Sequence, residues 1–350
     1  MPVNLALGHV STDFLIAALM IYSLAVLAFA GDFAFGRPKR GAEASRTQVR
    51  ARAGALATVG ASGSPSADSG TAGGGDASVP TSMPPVPLSP LRAIMAAGPW
   101  VRAGMALSSA GVLAHAIAVV TRGLAVHRAP WGNMYEFITA LTCFAAIFFL
   151  WVMVRYRAWA LGVFVMGAVV VILGLAETLI YTAAGTLVPA LQSYWLSIHV
   201  TAMTVATGVF FVAAALGVIY LVVDRYNRRV AAGKAQGGNG IIARLPSLEQ
   251  LDRLAYRTVV FGFPVWTFGV IAGAIWADEA WGRYWGWDPV ETWAFITWVV
   301  YAAFLHARAT AGWRGRRAHY VQILGFVTLA FNIMVVQVFI TGMHSYAGVG

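Results

Sequence analysis

Apolar residues along this chain run in eight blocks, at about 13–35, 98–121, 134–154, 158–181, 195–223, 258–276, 289–311 and 319–341, with polar residues gathered between them. A helix needs roughly 20 apolar residues to cross about 30 Å of hydrocarbon, and each block supplies that length. Lipid offers no hydrogen bonds, so each crossing segment must satisfy its own backbone as a helix. The pattern therefore predicts an all-α polytopic membrane protein with about eight transmembrane helices. The connections differ in kind. Residues 53–90 include three successive glycines at 73–75 and prolines at 84, 85, 87 and 90. Such a segment has too little apolar area to offset ordering entropy and predicts disorder. The chain thus divides into a first transmembrane helix at 1–36, a largely disordered linker at 37–97 and a seven-helix domain at 98–350. The polar stretch 224–257 contains Pro246-Ser-Leu-Glu-Gln-Leu-Asp and predicts a short amphipathic helix. No internal repeat of the inverted-repeat transporter kind is visible.

Charge then gives the helices a direction. No Lys or Arg precedes the first block and Arg37, Lys39 and Arg40 follow it, which predicts a retained span with its N-terminus outside. With that orientation 21 of the 24 basic residues fall on inside segments, and Arg122, Arg128 and Arg283 remain outside. The C-terminus and the loop at 276–293 are then outside as well. The net charge of +10 becomes a topological signal, and no nucleic-acid partner is implied. Composition agrees. With 59% hydrophobic and 11% charged residues, the chain cannot cover a soluble surface. That excludes a soluble enzyme, a nucleic-acid-binding domain and a secreted disulfide scaffold. Cys143 is the single cysteine, so there is no internal disulfide, CxxC pair or thiolate metal cluster.

Six of the 13 tryptophans lie between Trp276 and Trp298, around Trp281-Gly-Arg-Tyr-Trp285-Gly-Trp287-Asp288-Pro-Val-Glu291-Thr-Trp293. An interfacial aromatic belt accounts for any one of them taken singly. It does not account for their density, the two glycines or the embedded acids. Trp281, Trp285, Trp287 and Trp293 suit an aromatic platform for a large planar ligand. Gly282 and Gly286 let such a ligand approach the backbone. Asp288, Glu291, Tyr284 and Arg283 are candidates for its polar edge or for a protein substrate.

The histidines supply candidate ligand atoms. His199 opens the fifth block and His344 follows the eighth, so both flank the Trp-rich loop at one membrane level. Two neutral imidazoles there suit axial ligation of haem iron, and equally two interfacial histidines bonded to water. His306 lies 18 residues beyond Asp288 within a span, about 27 Å down a helix. It is a functional candidate or a snorkelling histidine beside Arg308. His115 and Glu177 read as packed, hydrogen-bonded groups, His319 as a helix-start residue, and His9 and His127 as loop residues. The polar cluster His127-Arg128-Ala-Pro130-Trp-Gly-Asn133-Met-Tyr135-Glu136-Phe is a candidate lining of the same outer cavity.

The run from Trp281 to Trp293, followed by Tyr301-x-x-x-Leu305-His306-x-Arg308, resembles the tryptophan-rich "WWD" signature of haem-handling membrane proteins. With Pro130-x-x-Asn133-Met-Tyr135-Glu136, Tyr194-Trp-Leu-x-x-His199-Val and Gly342-x-His344-Ser-Tyr, the chain is similar to the CcsA/ResC family of system II cytochrome c biogenesis, called CcsB in actinobacteria. The resemblance covers roughly 98–350; Val290 stands where many members carry Lys. It implies that His199 and His344 are axial ligands of an external haem and that His306 serves a transmembrane haem. The ligand implied is haem b, carried as substrate. The implied setting is a bacterial cytoplasmic membrane, with a ResB-like subunit and apocytochrome c as partners. The implied activity is haem transport to the outer face and presentation for thioether attachment at a CxxCH motif. A haem exporter without ligation activity and an electron-transfer subunit with structural haem are the alternatives. The latter would place histidine pairs inside opposing spans, whereas the best pair here is external.

Overall fold

The computed structural model describes residues 3–35, 89–185, 192–235 and 241–344. Most of the predicted linker and the last two positions of the closing motif, 345 and 346, lie outside the described residues. Helices α1 (Leu5–Phe35), α2 (Pro90–Met95), α3 (Pro99–Val126) and α4 (Met134–Tyr156) come first. A 3₁₀ turn (Trp159–Leu161) leads into α5 (Gly162–Leu179), followed by α6 (Tyr194–Ala231), α7 (Leu248–Trp281) and α8 (Pro289–Ala309). The last segment is α9 (Arg316–Phe331), a π turn (Asn332–Val336) and α10 (Gln337–Phe339). Eight helical segments are long and apolar enough to cross a membrane, and the described residues contain no strand. The chain is an all-α multi-pass membrane protein.

Two helices run well past their apolar blocks. The separate amphipathic helix expected near Pro246 is instead the opening of α7, capped by Ser247, whose hydroxyl accepts from the Gln250 amide at 3.2 Å. Nothing between Leu248 and Phe263 breaks a helix, and the Glu249–Arg253 pair at i,i+4 supports it. Pro264 then sits inside α7 without ending it.

Rings seated on glycines lock α1 against its neighbours. Tyr22 lies across Gly111 and Phe29 across Gly104, both of α3, and Phe29 also covers Gly162 of α5. Helices in lipid associate through this kind of close packing at small residues. Tyr22 and Phe29 are fully buried as a result. The Tyr22 hydroxyl also reaches His115 Nδ1 at 3.5 Å, and His115 is buried in this interface. A Cβ at Gly111 would fall 2.6 Å from the Tyr22 ring. Gly111→Leu is therefore expected to destabilise the fold by about 1–3 kcal/mol, seen as a lower unfolding temperature in detergent. Gly167→Leu, at a site with nothing within 4 Å, should stay within about 0.5 kcal/mol of the parent.

The bundle has two distinct ends. One, the tryptophan end, gathers the starts of α4, α6 and α8 and the ends of α3 and α7. At the other, the arginine end, Arg308 donates to both Asp252 oxygens at 2.7 and 3.0 Å. His319 does lie in the first turn of α9, yet it is buried: Nε2 is 3.2 Å from Asp252 and Nδ1 faces Gln322 Oε1 at 2.9 Å. Gln322 in turn donates to the Ala213 carbonyl at 2.6 Å, and Tyr220 stacks on His319 at 3.9 Å. His306, in the last turn of α8, stays outside this network with an exposed side chain.

Candidate functional site

Local sequence explains how the Trp-rich loop is built. Gly282 ends α7 in the left-handed region, at φ 70°. Asp288 caps α8 ahead of Pro289, with its carboxylate accepting from the Val290 amide at 3.1 Å. Glu291 completes a capping box: Oε2 accepts from the amides of Asp288 at 3.1 Å and Gly286 at 2.9 Å. The Arg283 guanidinium lies across Gly286, so a Cβ there would have to displace it. Both acids thus act first within the protein. Glu291 Oε1 is buried without a hydrogen bond among the described residues, 3.7 Å from the Arg283 guanidinium.

Asp288 makes a second set of contacts. Oδ1 accepts from the Met343 amide at 2.6 Å and Oδ2 from His344 Nδ1 at 2.9 Å. Burial pushes the Asp288 carboxyl up, but the bonds from His344, Met343 and Val290 outweigh it and hold the group below the usual carboxylate range. The His344 ring packs edge-on to Trp276 and Trp281, with centroids 5.7 and 5.0 Å away.

His199 reaches the same place from α6. Its ring lies on Gly273, where a Cβ would stand 2.6 Å away, and runs parallel to Trp276 at 6.0 Å and 9°. Nδ1 is 2.7 Å from the Gly269 carbonyl, which only accepts, so the proton sits on Nδ1. In His344 the carboxylate fixes the same tautomer. Each ring keeps Nε2 as its available lone pair, the arrangement usual for ligating histidines.

His199 and His344 border one cleft, with Trp276 between them. Its atom-free space, counted out to the open mouth, is about 1180 Å³. Tyr284, Trp285 and Glu291 line it too, as does the segment from Trp131 to Met134. Trp131 is held there by a bond from Nε1 to Thr201 at 3.1 Å. Behind that segment the buried Glu136 carboxylate accepts from Arg122 at 3.0 Å, Arg128 at 2.8 Å and the Gly132 amide at 2.8 Å.

The other sequence candidates are placed differently. Trp281 backs His344, and Trp293 packs on Phe331 at 4.4 Å. Trp287 projects from the loop with 65% of its surface exposed, at right angles to Trp285. Of these four rings only Trp285 lines the cleft, and together they do not form one flat shelf. His306 belongs to the opposite end of the bundle. Trp276, Trp266 and Asn332 were not singled out by the sequence, yet all three line the cleft. Trp276 had a signal: Gly269, Gly273 and Trp276 recur at i, i+4 and i+7, on one stripe of α7.

Fold and site define a polytopic membrane protein with a two-histidine, tryptophan-walled cleft at one end of its bundle. The chain belongs to the cytochrome c assembly protein family, whose profile matches residues 131–344. Cytochrome c biogenesis protein CcsA of Guillardia theta is 38% identical over 237 residues, covering 62% of this chain and 76% of that one. CcsA of Parasynechococcus marenigrum (strain WH8102) is 41% identical over 179 residues, 47% of this chain and 59% of its own. A solved structure of the cytochrome c heme lyase CcmF matches with a TM-score of 0.56 at 16% identity. That match covers 96% of this chain and 47% of the lyase, and the likeness concerns the fold.

Proposed function

We propose that this chain is the membrane subunit of a system II cytochrome c synthase, and that its cleft presents haem b for covalent attachment to apocytochrome c. The observation that carries this reading is the pair His199 and His344, each with Nδ1 engaged and Nε2 free on one cleft. Such a donor set suits a bis-imidazole haem iron. In this reading the tryptophan end faces the extracytoplasmic side of a bacterial membrane, and the 21-to-3 distribution of basic residues supports that orientation. His306, exposed in the last turn of α8, serves haem on its way across, with a second histidine from a ResB-like partner.

In the attachment step a cysteine thiol of the CxxCH segment adds across a haem vinyl group. The S–H bond breaks, a C–S bond forms at the carbon nearer the ring, and the proton ends on the terminal carbon. The chain contributes orientation, through the two histidines and the tryptophan walls, and no sulfur chemistry of its own, since Cys143 is buried. The test is a purified complex with the ResB-like partner, given haem and reduced apocytochrome. Thioether-linked haem is expected. Haem release to the outer side with no thioether would reduce the function to export.

A further inference from the structure

The two cleft histidines are held in unlike ways. His199 belongs to the second turn of a 38-residue helix, wedged between Gly273, Trp276 and the Gly269 carbonyl. Turning it out would require α6 and α7 to separate. His344 lies beyond Phe339, the last helical residue, on a segment that follows the π turn Asn332–Val336. π turns interrupt the regular helical ladder and recur at functional sites. The bonds from Met343 and His344 converge on one carboxylate, that of Asp288.

Asp288 is itself connected to the surface. It follows Trp287, a non-glycine residue at φ 56° with an exposed ring. A bulky side chain in the left-handed region is strained, and such strain persists only where its surroundings enforce it. An exposed aromatic on a strained backbone thus stands directly before the group that holds His344.

We infer that His344 is the exchangeable ligand, that His199 is the fixed one, and that Asp288 is the latch between them. A histidine-bearing polypeptide docking on Trp287 moves Asp288, which frees His344 from the iron and opens that coordination position to the incoming imidazole. Asp288 is a positioning residue here, acting through His344. The inference rests on the bis-histidine reading above.

The test uses the complex with its partner in a His306→Ala background, loaded with added haem, so that only the tryptophan-end site reports. Carbon monoxide binding to the reduced haem is followed by the Soret band, since it must wait for a histidine to leave. Asp288→Asn keeps a good helix cap but removes the charge from the bond to His344, and should speed carbon monoxide binding by roughly tenfold or more. His344→Ala should retain haem as a five-coordinate species, while His199→Ala should lose it. A rate within twofold of the parent in Asp288→Asn, or haem retained by His199→Ala and lost by His344→Ala, would overturn the assignment. A parent complex with no six-coordinate, two-histidine spectrum would instead overturn the proposed function itself.

Discussion

Replacing His199 by alanine is expected to lower covalent haem attachment at least about 100-fold, while the complex keeps the haem associated with His306. Removing a partner that only orients a metal ligand already costs 10–100-fold, and here the ligand itself goes. The ring also fills the space over Gly273 and beside Trp276, so its loss opens the wall of the cleft. A c-type reporter co-expressed with this chain and a ResB-like subunit gives the measurement, by haem staining of the covalent product. Imidazole added to the His199→Gly protein should restore part of the yield, which separates a ligand role from a packing one. Normal attachment in both His199→Ala and His344→Ala would sink the ligand assignment.

The largest effect on stability is expected at Glu136. Its carboxylate is fully buried and receives two guanidinium groups and an amide, while Arg122 and Arg128 also donate to the carbonyls of Thr182 and Gly185. Removing one partner of a buried ionic cluster leaves the others uncompensated, at about 3–5 kcal/mol. Glu136→Ala should therefore lower the unfolding temperature in detergent by more than any other single change considered above. Glu136→Gln, which can still accept hydrogen bonds, should fall between. Because this cluster anchors the segment that carries Trp131, the alanine protein should also bind haem more weakly. An unchanged unfolding temperature would mean that the ion pairs add nothing net.

The eight crossings were legible because burial in lipid writes itself as uninterrupted apolar length. Helix ends were not. The last turns of α6 and the first of α7 are rich in Arg, Glu and Gln, which are good helix formers but carry no hydropathy signal. His199 and His344 were legible as two histidines at one membrane level. Their tautomers were not, because the acceptors are a backbone carbonyl 70 positions from His199 and a carboxylate 56 positions from His344. Asp288 and Glu291 read as ligand-binding acids, whereas the folded loop uses both in a cap. The Asp252–Arg308–His319 cluster gave no sequence signal at all, since its members meet only when α7, α8 and α9 pack.

The rings of α1 resting on glycines of α3 and α5 bear on how the chain tolerates being cut. The seat of α1 is made by complementary shape, so covalent continuity between Phe35 and Pro90 is not what holds it there. Supplied as a separate polypeptide, the first helix is therefore expected to dock in the membrane on the remainder of the chain, which co-purification of the two pieces would check.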